Sequence, residues 1–120
     1  MKNPKHLSAK MWYEENIALG QNVQEINNLD GYSAVRDGRT VYINAVNTTN
    51  NVSKGFFTNM YILSYSDGAS DDVINIFEQL LNRIQFNINL SPVNKKKAVR
   101  DTIRLEDLNL INKFILIFFF

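Results

Sequence analysis

Hydrophobic and polar residues alternate most cleanly between Thr40 and Asn47. Val41, Ile43 and Ala45 fall on one side of an extended chain, and Tyr42, Asn44 and Val46 on the other. A second strand-like run precedes it, and Asp37-Gly38 stands between the two. Asp-Gly accepts the positive φ of a two-residue turn, so the pattern predicts a β-hairpin with strands near 32–36 and 39–47. A third strand is predicted near 58–66, through Met60-Tyr61-Ile62-Leu63-Ser64-Tyr65. Its large residues on both faces mark it as the most buried strand of the set. The polar, Asn-rich stretch 48–55 reads as a loop. Sequential strands with short links favour an antiparallel meander.

Helical periodicity flanks the strands. From Ala9 to Leu29, Met11, Trp12, Ile17, Leu19, Val23 and Ile26 suggest one helix broken at Gly20, or two short ones. Ser70 is placed to cap a helix over 70–85, with Asp71 and Asp72 in the first turn, where the helix dipole favours negative charge. Val73, Ile74, Phe77, Leu80, Leu81 and Ile84 form its apolar stripe. Phe86, Ile88 and Leu90 alternate with Asn87 and Asn89, an extended exit that Ser91-Pro92 ends. A second amphipathic helix is expected over about 95–112, with Val99, Ile103, Leu105, Leu108 and Ile111 inward. The fold class is therefore α+β: a three- to four-stranded antiparallel meander with an amphipathic helix packed on it, flanked by N- and C-terminal helices. Residues 1–8 are expected to be disordered, 9–90 to form one domain, and 91–120 to hold a helix and the apolar tail Phe114–Phe120.

Composition removes several kinds of chemistry. The chain has no cysteine, so disulfides, thiol nucleophiles and thiolate metal sites are excluded. Its one histidine, His6, lies in the polar start. A net charge of +1 gives no global attraction to nucleic acid or anionic membrane. The first ten residues lack the apolar core of a signal peptide. The tail is shorter than the ~20 residues of a membrane span. Uncharged and free of proline, it is expected to drive association if exposed.

Each cluster that could carry chemistry also has a plainer reading. Asp67, Asp71 and Asp72 could ligate a hard cation, but capping and the helix dipole account for them. Arg36, Asp37 and Arg39 are either a recognition point or a solvated turn. Lys95, Lys96, Lys97, Arg100 and Arg104 could grip phosphate, yet Asp101, Glu106 and Asp107 dilute them and no aromatic residue interleaves. Tyr32, Tyr42, Tyr61 and Tyr65 could line a ligand face or simply pack with wet hydroxyls. Glu14 and Glu15 are adjacent, so they diverge on a helix and form no carboxylate pair. Glycosylation-acceptor patterns at Asn47, Asn51 and Asn89 carry no weight in an Asn-rich chain. No catalytic residue, metal ligand or cofactor site is assigned; the candidate interaction residues are Arg36, Arg39, Lys95, Lys96, Lys97, Arg100 and Arg104.

The runs Gly31 to Ala45, Asn59 to Tyr65, Ile76-Phe-Glu-Gln-Leu-Leu81 and Phe86-Asn-Ile-Asn-Leu90 resemble an uncharacterised module of predicted surface and secreted proteins of uncultured small-genome bacteria. Their order, a meander, then an Ile-Phe-x-Gln helix, then a short Phe-containing strand, also resembles the C-terminal part of PsbP/Mog1-like α/β/α domains. Asp101-Thr-Ile-Arg-Leu-Glu-Asp-Leu108 looks like the linker helix that follows the module. The resemblance covers roughly residues 12–112 and implies a ligand or partner platform, an extracellular or cell-surface setting, and no catalytic residues. The apolar run at 114–120 stands where a further domain would be expected, which suggests a fragment of a longer protein. The leading expectation is a non-catalytic module of a surface or exported protein, acting through its sheet face or exposed edge on a protein or small-molecule ligand. The alternative is a nucleic-acid or membrane-surface binder using the basic helix 95–104.

Overall fold

Two tight turns and one capped helix organise the middle of the chain. The computed structural model describes residues 1–17, 23–47 and 57–119, with side chains as far as Asn112. Strands β1 (Gln24–Leu29), β2 (Tyr32–Asp37), β3 (Thr40–Val46) and β4 (Thr58–Ser64) form one antiparallel sheet in that order. Three helices flank it: α1 (Ala9–Asn16), α2 (Asp71–Arg83) and α3 (Pro92–Phe119). The expected α+β meander is present. The predicted loop 48–55, the helical reading of 18–22 and the side chains of the tail lie outside the described residues.

The β2–β3 hairpin turns at Gly38-Arg39, with Gly38 at φ 58° and Asp37 paired to Thr40. The turn before it falls within Asn27–Gly31, which the sequence marks as a stop and turn; the strand that precedes it was missed. Asp30 and Gly31 both have positive φ, 54° and 90°, the combination that matches the twist of a two-residue hairpin. The chain therefore reverses there, and 24–29 pairs with β2 as a strand instead of continuing a helix from Ala9. Among the described residues of 9–29, the helix is α1, capped by Ser8 Oγ, which accepts from the Met11 N–H (3.2 Å). The first eight residues, expected to be disordered, pack instead. Lys2 bridges to Asn59, and Asn3 and Leu7 are buried.

Alternation sends side chains to two cores. On one face α1 lays Trp12 and Tyr13 against Tyr42, with ring centroids 5.9 and 5.3 Å apart, beside Leu7, Val35 and Met60. On the other, Tyr32, Ala34, Val41, Ile43 and Ala45 meet Phe77 and Leu81 of α2, with Ile84, Phe86 and Leu90 partly buried alongside. β3 is the most buried strand, not β4, which lies at the sheet edge with Ile62 exposed. The α2 stripe is only half used: Phe77 and Leu81 are buried, while Val73 and Leu80 stay exposed. Residues 84–90 form no strand. Asn87 takes φ 57°, and its side chain accepts from the Tyr32 hydroxyl and donates to the Val46 carbonyl (2.8 Å).

Helix α3 starts earlier than expected, with Pro92 in its first turn and Ser91 Oγ accepting from the Asn94 N–H (3.2 Å). Its inward positions are Ala98, Thr102 and Glu106, with Val99 partly buried. Ile103, Leu108 and Ile111, predicted inward, are exposed. The helix touches the β1–β2 turn at its start, where Val99 lies against Gly31, and the N-terminal segment further on, where Asn109 Nδ2 donates to the carbonyls of Lys5 and His6.

Candidate functional site

The basic residues picked out from the sequence fall into two groups, Arg36 and Arg39 at the β2–β3 hairpin and Lys95 to Arg104 on α3, where Lys95, Lys96, Arg100 and Arg104 line one depression. Arg36 is half-buried; its guanidinium binds both Glu78 carboxylate oxygens, donates to Gly38 O (2.8 Å) and covers the Phe77 ring at 5.7 Å. The hydrogen bonds from Arg36 hold the Glu78 carboxyl below its usual range. Lys95 is also structural. It pairs with Asp30, donates to Phe86 O and sits over the Tyr32 ring, pinning the start of α3 to the β1–β2 turn. Arg39 is exposed beside the hairpin tip. Lys96, Lys97, Arg100 and Arg104 lie on the exposed side of α3, and Asp101 pairs with both arginines. Of the tyrosines, Tyr32 and Tyr42 are buried, and Tyr61 and Tyr65 pack on Phe86 and Phe77. Asp37 accepts from the Tyr13 hydroxyl (2.7 Å), and that bond, with burial, pushes the phenol up to about 12.

A buried polar relay was missed. Asn44 stands in the middle of the most apolar strand and is fully buried. Its Oδ1 accepts from Asn3 Nδ2 (2.9 Å), and its Nδ2 donates to Glu106 Oε2 (2.9 Å). The same carboxylate oxygen accepts from Ser33 Oγ (2.7 Å), which in turn accepts from the Ala9 N–H (3.3 Å). Asn3 also exchanges two hydrogen bonds with Leu7, through its N–H (3.2 Å) and carbonyl (2.8 Å). Burial raises the Glu106 carboxyl above its ordinary value, against the lowering effect of Asn44 and Ser33. The relay ties the N-terminal segment, α1, β2, β3 and α3 together. The readable signal was the asparagine itself: a polar residue on a core strand needs partners.

Among the described residues, three surface features bear on binding. A cavity of about 530 Å³ is lined by Lys2, Asn3, Pro4, His6, Asn47, Phe57, Thr58 and Asn59. A shallow depression on α3 is floored by Val99 and Ile103 and rimmed by Lys96, Arg100 and Arg104. The third is the outer edge of β4. Its first half is taken: Asn3 N–H donates to Thr58 O (2.9 Å), and Met60 N–H donates to Met1 O (2.7 Å). By alternation the next outward backbone groups belong to Ile62 and Ser64, and no described residue pairs with them. Beside them runs an apolar groove between β4 and α2, about 370 Å³, lined by Leu63, Phe77, Leu80, Leu81, Ile84 and Arg83.

No group of three or more His, Asp or Glu residues that could hold a metal occurs among the described residues. No described helix is long and apolar enough to cross a membrane. Comparison with known proteins finds no matching family model, curated protein or solved structure.

Proposed function

We propose that the chain is a non-catalytic interaction module of a surface or exported protein, distantly PsbP/Mog1-like, that takes an extended peptide on the free half of β4. The carrying observation is the open edge at Ile62–Ser64 beside an apolar groove. An unpaired edge offers a ready row of donors and acceptors, and alternate side chains of an added strand enter the pockets next to it. This edge already accepts one antiparallel segment, Met1–Asn3, and the guest would extend that line. The opposite edge differs: β1 presents Gln24, Glu25, Asn27 and Asn28 to solvent, a polar edge. Arg83 lines the β4 groove and makes no ion pair among the described residues, so charge complementarity favours a guest whose groove-facing residues are apolar with an acidic one among them.

The test is binding of a labelled eight-residue peptide whose alternate, same-face positions carry three valines and one glutamate, with threonine between them. Ile62→Pro removes an outward N–H without touching the inner ladder, a position where an edge strand tolerates proline. Binding that is lost in Ile62→Pro and weakened in Arg83→Gln supports the reading. No binding at about 1 mM peptide, or binding indifferent to Ile62→Pro, overturns it.

A further inference from the structure

We infer that the cavity beside the N-terminal segment is a second, separate site, which binds a small anion carrying a planar ring, such as a nucleotide or an aromatic acid. The cavity volume, about 530 Å³, lies inside the range of about 300–1,000 Å³ found for small-molecule sites. Its described lining contains one cation, Lys2, and no acidic side chain. Lys2 is exposed and makes no ion pair among the described residues. That balance selects against cations and for an anionic group.

The aromatic requirement comes from Phe57. Its side chain is 63% exposed, the most exposed of the described phenylalanines, although it stands one residue ahead of a strand whose next residue, Thr58, is 2% exposed. A ring in that position offers a face to a planar ligand, an interaction that accepts any flat π-system. Asn47 and Asn59 line the same cavity and supply amides, each with donor and acceptor, to read polar groups on the edge of such a ring. Asn47 and Phe57 are joined by a backbone hydrogen bond, Asn47 N–H to Phe57 O (2.9 Å), so amide and ring are held next to each other.

The opposite wall is built in advance. Asn3 is fixed by Asn44 and by both polar groups of Leu7. His6 adopts φ 52°, its N–H donates to Asn3 O (3.0 Å), and its Nδ1 lies 3.2 Å from Thr58 Oγ1. Thr58 Oγ1 also donates to Asn3 O (3.2 Å). A left-handed histidine costs backbone energy and persists because the surrounding bonds impose it. Pre-ordering of this kind lowers the entropy cost of taking a ligand.

The experiment is two-dimensional NMR titration of the isotopically labelled full chain with AMP, UMP and 4-hydroxybenzoate, and with adenosine as the neutral control. Binding of at least one anionic probe is expected, with shifts confined to residues 2–6, 47 and 57–59. Lys2→Gln should weaken that probe by about fivefold and leave adenosine unchanged. Phe57→Leu should weaken it by about tenfold. Lys97→Gln, near the start of α3 and outside the cavity lining, should change neither. The proposal is overturned if no probe shifts these residues at about 10 mM, if adenosine binds as well as AMP, or if Lys2→Gln and Phe57→Leu are silent. The edge variant Ile62→Pro should leave this titration intact, so the two sites stand or fall separately.

Discussion

Removing the Glu106 carboxylate is the sharpest perturbation of this fold. Glu106 is 7% exposed, and one of its oxygens takes hydrogen bonds from both Ser33 and Asn44. Glu106→Ala strands both donors. At about 1–3 kcal/mol for each buried group left without a partner, the loss is about 2–6 kcal/mol. That is a large part of the 5–15 kcal/mol typical of a domain. Glu106→Gln keeps a carbonyl oxygen at the same place and should lose about 1 kcal/mol or less. The two variants also differ from wild type in pH dependence. The folded-state pKa of Glu106 is raised, so the folded protein holds more protons than the unfolded chain between the two values. Stability from this group therefore falls as pH rises from the ordinary glutamate range through the folded value, and is level on either side. Denaturant unfolding of wild type and Glu106→Gln, followed by circular dichroism across about pH 4 to 8, isolates it, since all other groups cancel in the difference. The wild-type advantage should shrink as pH rises. A Glu106→Ala loss below about 1 kcal/mol, or a difference that grows with pH, would refute this account of the relay.

Phe77→Ala should cost about 3 kcal/mol, because Phe77 is buried against Tyr65 and under Arg36; an unfolding curve shifted by less than about 1 kcal/mol would mean that α2 barely holds the sheet. Gly31→Ala should destabilise more than Gly38→Ala. Both sites have positive φ, worth about 1–2 kcal/mol, but only at Gly31 would a Cβ also meet Val99, at 3.1 Å; equal shifts in melting temperature would contradict the close approach. Binding to duplex DNA or anionic vesicles should be weak near physiological salt, since Lys95 is committed to Asp30, and Asp101 pairs with Arg100 and Arg104; salt-sensitive binding in flotation or mobility assays, lost on replacing Lys96 and Lys97, would revive the basic-helix reading.

What was legible in the sequence was local. The alternation at 40–47, the glycine turn at 38, the Ser70 cap and the Asp71-Asp72 first turn are each set within a few residues, and each appears in the structure. The β1 strand was not legible. Gln24 to Leu29 has no alternation to speak of, and its pairing depends on two successive positive φ values, one of them on an aspartate. Helix α3 misled for another reason. Its apolar residues were assigned inward by type, whereas Ala98, Thr102 and Glu106 face in, because small residues let the helix approach and the glutamate has fixed donors waiting. The edge groove and the cavity join residues far apart in the chain, such as Leu63 with Ile84 and Lys2 with Phe57, and no spacing encodes that.

The Asn3–Asn44–Glu106 relay also has a direction in time. Asn3 and Asn44 are 41 residues apart, and Asn44 and Glu106 a further 62. During synthesis at about 5–20 residues per second, the sheet residues wait about 3–12 s for the carboxylate that satisfies them. In that interval Asn44 can close only its bond to Asn3, and Ser33 has no carboxylate to donate to. Water must serve instead, so the α1 face of the nascent sheet cannot dry. The N-terminal segment is made before the sheet and is locked by a helix made after it. Acquisition of protease resistance by residues 1–8 would therefore report arrival of the middle of α3, rather than closure of the sheet to which they are attached.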